Sequence, residues 1–230
     1  MRSFVEHARS FRARMAADGR HLASLARGQA PLALFISCSD SRVMPSLITG
    51  ARPGELFELR TAGGIVPRYD LDRPAGETAT IEFAVNALGV ADIVVFGHSH
   101  CAAVTALTRR DPLPTVPALR RWLTHPAAGD PASDTHKDHT KEHAKEHAKE
   151  HAKEHAKERK HRKERHEQRQ EQRQDSVRRH VLAQLDRLRG YPCVAERLAR
   201  GRIALHGWLY EVDTGAVLAH RPATGAFGPL

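Results

Sequence analysis

Five residues at two points of the chain have side chains that could do chemistry together. They are Cys38, Asp40, Arg42, His98 and Cys101. Two thiols and one imidazole are good ligands for a single transition metal, and three protein ligands leave a fourth position for water or substrate. These residue types and spacings therefore predict a catalytic metal site, with zinc as the expected ion, rather than a structural zinc site closed by four protein ligands.

Two short apolar runs must position these residues. Residues 32–36 precede Cys38 and residues 93–96 precede His98, and both runs are brief, rich in branched side chains and followed by turn residues. Such runs are typical of buried strands. In a parallel sheet the carboxyl ends of neighbouring strands meet at one edge, where these sheets place their sites. We therefore expect the two polar stretches to meet at that edge.

The rest of the chain predicts strands and helices in alternation. Apolar side chains at helical spacing over residues 77–88 give the clearest helix, and an amphipathic helix is expected over residues 4–26. Strands are expected over residues 55–60 and 202–212, the second returning in a hairpin, whereas prolines and glycines predict an irregular tail over 220–230. Shorter helices are expected over residues 44–48, 102–107, 177–188 and 193–199. This order predicts an α/β fold, with a mostly parallel central β-sheet flanked by helices.

A low-complexity insertion interrupts this fold, which we expect to be a single domain of residues 1–230. Residues 125–176 are rich in His, Lys and Glu, and they contain no large aliphatic or aromatic side chain. The insertion is expected to be helical or disordered, since a helix without an apolar face has nothing to dock on. A repeat of Lys-Glu-His-Ala over residues 141–156 helps to place histidines four residues apart, at His139, His143, His147, His151 and His155. Such pairs could chelate extra metal ions, so a metal-collecting arm, a solvated linker and a pH-responsive charged arm all remain open.

Charge and cysteine content exclude several other classes of protein. The 230-residue chain has a formal net charge of +9, but its arginines are scattered and no nucleic-acid-binding motif is present. Its three cysteines, an odd number, do not predict a disulfide framework. No signal-peptide pattern opens the chain, and no apolar run approaches the ~20 residues of a membrane span. We therefore expect a cytoplasmic protein that binds neither nucleic acid nor membrane.

Five short segments together resemble the β-class carbonic anhydrases. They are Cys-Ser-Asp-Ser-Arg at 38–42, Pro-Gly-Glu-Leu-Phe at 53–57, Arg-Thr-Ala-Gly-Gly at 60–64, Gly-His-Ser-His-Cys at 97–101 and Leu-His-Gly-Trp-Leu-Tyr at 205–210. The resemblance covers residues 25–110 and 177–220, whereas the insertion has no counterpart in that family. It implies a β-carbonic anhydrase-like zinc enzyme that reversibly hydrates carbon dioxide to bicarbonate and a proton through zinc-bound hydroxide. It also implies a homodimer or homotetramer with one Zn2+ per subunit.

The resemblance further implies a role for each of the five reactive residues. Cys38, His98 and Cys101 would bind the zinc. Asp40 and Arg42 would form the catalytic pair. While Arg42 holds the carboxylate, the fourth zinc position is free for water, and Asp40 can orient the hydroxide. If Arg42 releases it, Asp40 becomes a possible fourth ligand and closes the site.

Two other functions remain open on the same fold. A metal-storage or regulatory zinc-binding protein would keep the site without turnover. A hydrolase of carbonyl sulfide or carbon disulfide would use linear substrates of similar size. Two further residues with reactive side chains are given structural roles. Cys193 is expected to be a small buried group, and His100 is expected to lie on the surface, with proton shuttling or an extra metal contact as its alternative.

Overall fold

The centre of the protein is one six-stranded sheet, seen in a computed structural model that describes residues 1–17, 22–124 and 151–230. Its strands run in the order β2-β1-β3-β4-β5-β6. In chain order they are β1 Ala33–Cys38, β2 Leu56–Thr61, β3 Asp92–His98, β4 Ala204–Tyr210, β5 Val217–Arg221 and β6 Ala226–Pro229. The pairs among β1 to β4 are parallel, and β5 and β6 are added antiparallel. The prediction of a mostly parallel central sheet is therefore confirmed.

The parallel register aligns the strand ends that carry the reactive residues. Cys38 at the end of β1 pairs with Thr61 at the end of β2, and Ser37 pairs with Phe96 on β3. All six residues of β1 are buried. A strand with no solvent-facing side is typical of a sheet that is covered on both faces. This explains why the sequence of β1 is an apolar run rather than an alternating pattern.

Helices cover the sheet and differ in places from the predicted ranges. They are α1 Arg2–Ala17, α2 Leu22–Leu25, α3 Pro45–Thr49, α4 Gly76–Glu82, α5 Ala102–Arg109, α6 Pro117–Thr124, α7 His151–Arg189 and α8 Pro192–Ala199. The helix expected over residues 4–26 is α1 and α2, and residues 18–21 lie outside the described part. The helix expected over 77–88 is α4 followed by a π-helical turn at Phe83–Ala87, where the Leu88 N–H donates to the Phe83 carbonyl.

The prediction of an irregular tail over residues 220–230 was wrong, because this segment contains β6. The Arg221 carbonyl accepts hydrogen bonds from the N–H groups of Thr224 and Gly225, and Gly225 has a φ of 69°. These contacts turn the chain back onto β5, where the His220 and Phe227 rings lie 5.3 Å apart. Of the two prolines and two glycines that suggested irregular structure, Pro222 and Gly225 lie in this turn, whereas Gly228 and Pro229 lie in the second half of β6.

The C-terminal half of α7 packs across β3 and β4. Four buried residues at helical spacing face the sheet: Val177, Val181, Leu185 and Leu188. The sheet makes room for them at Gly97, where a Cβ would lie 2.5 Å from Val181 Cγ2 and 2.8 Å from Val177 Cγ1. The description of α7 starts at His151, inside the predicted insertion, and residues 125–150 of that insertion lie outside the described residues.

Candidate metal centre

Three side chains from two strand ends converge at the carboxyl edge of the sheet. Cys38 ends β1, His98 ends β3, and Cys101 caps the N-terminus of α5. Their ligand atoms all lie within 4.8 Å of one another, and all three residues are buried. The two Sγ atoms are 4.0 Å apart. The sequence-predicted ligands are thus brought together around one point.

The imidazole of His98 is oriented as a metal ligand requires. Its Nδ1 lies 2.9 Å from the Ser99 carbonyl oxygen, which can only accept, so Nδ1 carries the proton. Its Nε2 is buried and has no hydrogen-bond partner in the described part of the chain. A buried lone pair without a donor is costly unless a cation takes it. Together with two sulfurs, this nitrogen fits a metal ion with soft ligands.

The thiols of Cys38 and Cys101 form a hydrogen-bonded pair. The Cys101 thiol donates to Cys38 Sγ, and this hydrogen bond lowers the pKa of Cys38. The same contact, together with burial, raises the pKa of Cys101. The Gly63 N–H also donates to Cys38 Sγ, at 3.4 Å. Both hydrogen bonds favour the thiolate form of Cys38, which is the form that binds a metal.

Asp40 and Arg42 form a bidentate ion pair at the mouth of this site. Arg42 Nε donates to Asp40 Oδ1 at 2.9 Å and Arg42 Nη2 to Asp40 Oδ2 at 2.7 Å, while the Arg42 backbone N–H also donates to Oδ1. The guanidinium holds the pKa of Asp40 well below its usual range. Asp40 Oδ2 lies 3.9 Å from His98 Nε2, so a fixed, ionised carboxylate stands beside the three ligands.

Arg60 shapes the loop that carries Asp40, and sequence reasoning missed it. Its Nη2 donates to three backbone carbonyls, those of Cys38 at 3.1 Å, Asp40 at 3.0 Å and Val43 at 2.7 Å. The Arg60 Nε also donates to the Cys38 carbonyl, at 3.3 Å, so two nitrogens of one planar group take part, which the single nitrogen of a lysine cannot reproduce. The only indication of this role in the sequence was that Arg60 belongs to the Arg-Thr-Ala-Gly-Gly segment, one of those that carry the family resemblance.

The turn after β2 packs against the site, and residues from α7 and from the start of α8 hold the loop that follows this turn. Gly64 has a φ of +60°, and a Cβ there would lie 3.2 Å from the Ser37 carbonyl carbon. Further along, Val66 N–H donates to Gln184 Oε1 at 2.9 Å, and the Tyr191 hydroxyl donates to the Pro67 carbonyl at 2.8 Å. Burial raises the pKa of Tyr191 to about 12, so this hydroxyl keeps its proton. The sequence patterns did not single out Gln184 or Tyr191.

The remaining reactive residues lie outside the cluster of ligands. His100 is 38% exposed, has a φ of 57°, and places Nε2 3.8 Å from Asp213 Oδ1. Its carbonyl accepts from Arg42 Nη2 at 3.3 Å, so the backbone rather than the ring contacts the ion pair. Cys193 is buried in the main core, as expected. His100 thus lies at the surface, in line with its structural prediction.

Fold and site together define a class of protein. A parallel α/β sheet with two thiols and one imidazole at its carboxyl edge, beside a carboxylate held by arginine, is typical of a metalloenzyme with an open coordination position. The family model described as carbonic anhydrase matches residues 33–158 and 132–217 of this chain. The chain therefore belongs to the β-carbonic anhydrase family, and it is an enzyme of the carbonic anhydrase type.

Individual relatives agree with this assignment over most of the chain. The carbonic anhydrase of Pseudomonas aeruginosa is 41% identical over 207 residues, 90% of this chain and 81% of that protein. Carbonic anhydrase 1 of Escherichia coli O157:H7 is 39% identical over 206 residues, again 90% and 81%. The structure of the β-carbonic anhydrase CcaA superposes with a TM-score of 0.78 at 32% identity, covering 100% of this chain and 92% of that one. Among the described residues, no helix is both long and apolar enough to cross a membrane.

Proposed function

We propose that this chain catalyses the zinc-dependent, reversible hydration of carbon dioxide to bicarbonate and a proton. One observation carries the proposal: Cys38, His98 and Cys101 converge within 4.8 Å, and the buried His98 Nε2 has no hydrogen-bond partner among the described residues. Two sulfurs and one nitrogen are a ligand set that zinc accepts in tetrahedral sites, with one position left for water. Membership in the family supports the same reaction.

Zinc held by these three side chains would act as a Lewis acid, lowering the pKa of a water at its open position towards ~7. The protein's own part is to fix the ligands. The Ser99 carbonyl holds the His98 ring through Nδ1–H, and the Gly63 N–H stabilises the Cys38 sulfur. The contact with Ser99 orients the imidazole and raises its basicity, whereas the contact with Gly63 stabilises the negative charge on sulfur.

Asp40 and Arg42 would supply the catalytic pair. Because its pKa lies well below the usual range, Asp40 stays ionised and can only accept a hydrogen bond at neutral pH. Arg42 occupies both carboxylate oxygens and so keeps Asp40 from turning towards the ligands. In that position Asp40 would orient the attacking oxygen. Release by Arg42 would allow Asp40 to become a fourth ligand and shut the site.

Stopped-flow hydration of carbon dioxide between pH 6 and 9, with metal content measured on the same sample, tests the proposal. We expect one zinc per chain and rapid hydration by the wild type. We expect Cys38→Ser to lose zinc and activity together, and Asp40→Asn to lose activity while keeping zinc. If zinc-replete wild-type protein hydrates no carbon dioxide at any of these pH values, the proposal is wrong and a metal-storage or regulatory role takes its place. Faster turnover of carbonyl sulfide or carbon disulfide would instead indicate a hydrolase.

The proposal includes a homodimer or homotetramer. The helix α1 supports it, because apolar side chains on this helix are exposed: Phe4 is 71% and Phe11 44% accessible, whereas Met15 is buried. Exposed aromatic residues on one amphipathic helix are typical of an interface. Light scattering of the purified chain tests this, and a monomeric mass with full activity would contradict it. The cytoplasmic location stays a prediction.

A further inference from the structure

Gly63 links the metal site to the helices behind it. Its N–H donates to Cys38 Sγ at 3.4 Å, and its φ of +81° favours glycine at this position. A hydrogen bond to a thiolate stabilises the charge on sulfur, and outer contacts of this kind tune how strongly a ligand holds its metal. Any group that fixes the direction of the Gly63 N–H therefore acts on the metal site.

Trp122 on α6 fixes one of the two peptide groups that flank Gly63. Its Nε1 donates to the Ala62 carbonyl at 2.9 Å. This carbonyl belongs to the same peptide unit as the Gly63 N–H, and in a trans peptide the two groups point in opposite directions. The indole thus holds one end of the peptide while Cys38 Sγ accepts at the other. Donation to the carbonyl also polarises the peptide and strengthens its N–H as a donor.

His180 on α7 fixes the other flanking peptide group. Its Nε2 lies 2.8 Å from the Gly63 carbonyl oxygen, which can only accept, so Nε2 must carry a proton. The ring is buried, and this burial lowers the pKa of His180 to about 4, so the donor is a neutral imidazole at physiological pH. Trp122 and His180 together immobilise the backbone on both sides of the Gly63 Cα.

We propose that Trp122 and His180 are positioning residues for the metal site, which hold Gly63 so that its N–H stays directed at Cys38 Sγ. The inference rests on the proposed function, because it takes Cys38 as a metal ligand. Both residues act through the peptide groups around Gly63 and neither takes part in the reaction. Without either donor, the Gly63 N–H is no longer held towards Cys38 Sγ. The ligand is then less well oriented, which weakens metal binding, and its sulfur lone pair rises in energy because it loses a hydrogen bond.

Three variants and one matched control separate positioning from general stability. Trp122→Phe keeps an aromatic ring and removes the N–H donor. His180→Leu removes the donor, whereas His180→Gln keeps a neutral N–H that can reach the Gly63 carbonyl. The control is Tyr191→Phe, which removes a hydroxyl that donates to the Pro67 carbonyl in the same loop and contacts Thr78, without touching Gly63.

Zinc affinity is measured by competition with a chelator, and cobalt(II) replaces zinc for spectroscopy of the thiolate-to-metal charge-transfer band. We expect Trp122→Phe and His180→Leu to bind zinc about 10-fold more weakly. Their charge-transfer band shifts to lower energy, because a thiolate that accepts fewer hydrogen bonds is easier to oxidise. We expect His180→Gln and Tyr191→Phe to keep both the affinity and the band position of the wild type.

Two outcomes would overturn the inference alone. In the first, Trp122→Phe and His180→Leu keep one zinc per chain, with the zinc affinity and the charge-transfer band of the wild type. This outcome leaves the proposed function intact. The other is an equal weakening in Tyr191→Phe at equal stability towards urea, since any loosening of the loop would then have the same effect. A wild-type chain that holds no zinc would overturn both the inference and the proposed function.

Discussion

Acid should destabilise this fold through one buried imidazole, that of His180. Burial is the main cause that lowers its pKa from 6.5 to about 4, and repulsion by Arg187 acts in the same direction. The Gly63 carbonyl and the charge of Cys38 act in the opposite direction. Because the unfolded chain binds this proton near pH 6.5 and the folded chain only near pH 4, the unfolded state holds more protons between these values. The contribution of the neutral His180 to stability is therefore fully present above pH 6.5, and it is lost as the pH falls to 4.

The size of the effect follows from the two pKa values. Their separation corresponds to about 3 kcal/mol when the loss is complete. Between pH 7.5 and pH 5 the loss is about 2 kcal/mol. The substitution His180→Gln removes the titrating group and keeps a neutral donor for the Gly63 carbonyl. Between pH 7.5 and pH 5, the free energy of unfolding of His180→Gln should therefore fall by about 2 kcal/mol less than that of the wild type.

Urea unfolding of metal-free protein at pH 7.5 and pH 5 measures this difference. The comparison uses the change between the two pH values, so a lower absolute stability of His180→Gln does not affect it. Tyr191→Phe is the control, because it removes buried hydrogen bonds nearby while leaving the imidazole in place. It should lose as much stability in acid as the wild type. Equal losses in the wild type and His180→Gln would refute the reasoning.

Three further predictions concern packing, the ion pair and the insertion. Gly97→Ala should destabilise the fold by about 1–3 kcal/mol in urea unfolding, because its Cβ would lie 2.5 Å from Val181 Cγ2; Gly76→Ala, with nothing within 4 Å, is the control and should cost nothing. Arg42→Gln should lower kcat/KM for carbon dioxide by about 100-fold or more while zinc content stays at one per chain, and an unchanged rate would show that Asp40 needs no partner. Replacing residues 125–150 by a Gly/Ser linker should leave hydration and one zinc per chain unchanged; nickel uptake that falls with this replacement would identify a metal-collecting arm, and equal uptake would favour a linker.

The sequence predicted most of the structure that apolar patterning controls. The runs before Cys38 and His98 became β1 and β3, because a strand buried on both faces must be apolar throughout. The clearest helical pattern became α4 and its π-helical turn. The strand β6 was missed, because glycine and proline counts do not show whether these residues lie inside a strand or in the turn beside it.

Much of what surrounds the ligands could not be predicted. Arg60 acts on three carbonyls, and Trp122 acts on one carbonyl that lies 60 residues earlier in the chain. Backbone carbonyls carry no residue-specific signal, so no pattern in the sequence shows which side chain will reach them. The sequence showed His180 only as a residue within a predicted helix. Its burial and the 2.8 Å distance from its Nε2 to the Gly63 carbonyl oxygen show that it is a neutral donor.

By itself, the sequence determined which groups can bind a metal and at which strand ends they lie. Residue type fixes ligand chemistry, and a short apolar run fixes where a buried strand stops. Only the tertiary structure decided that Cys38, His98 and Cys101 meet within 4.8 Å, that His98 Nε2 is left for a cation, and that Gly63 turns its N–H onto sulfur. These are distances between atoms from strands and helices far apart in the chain, and the packing of the whole sheet sets them.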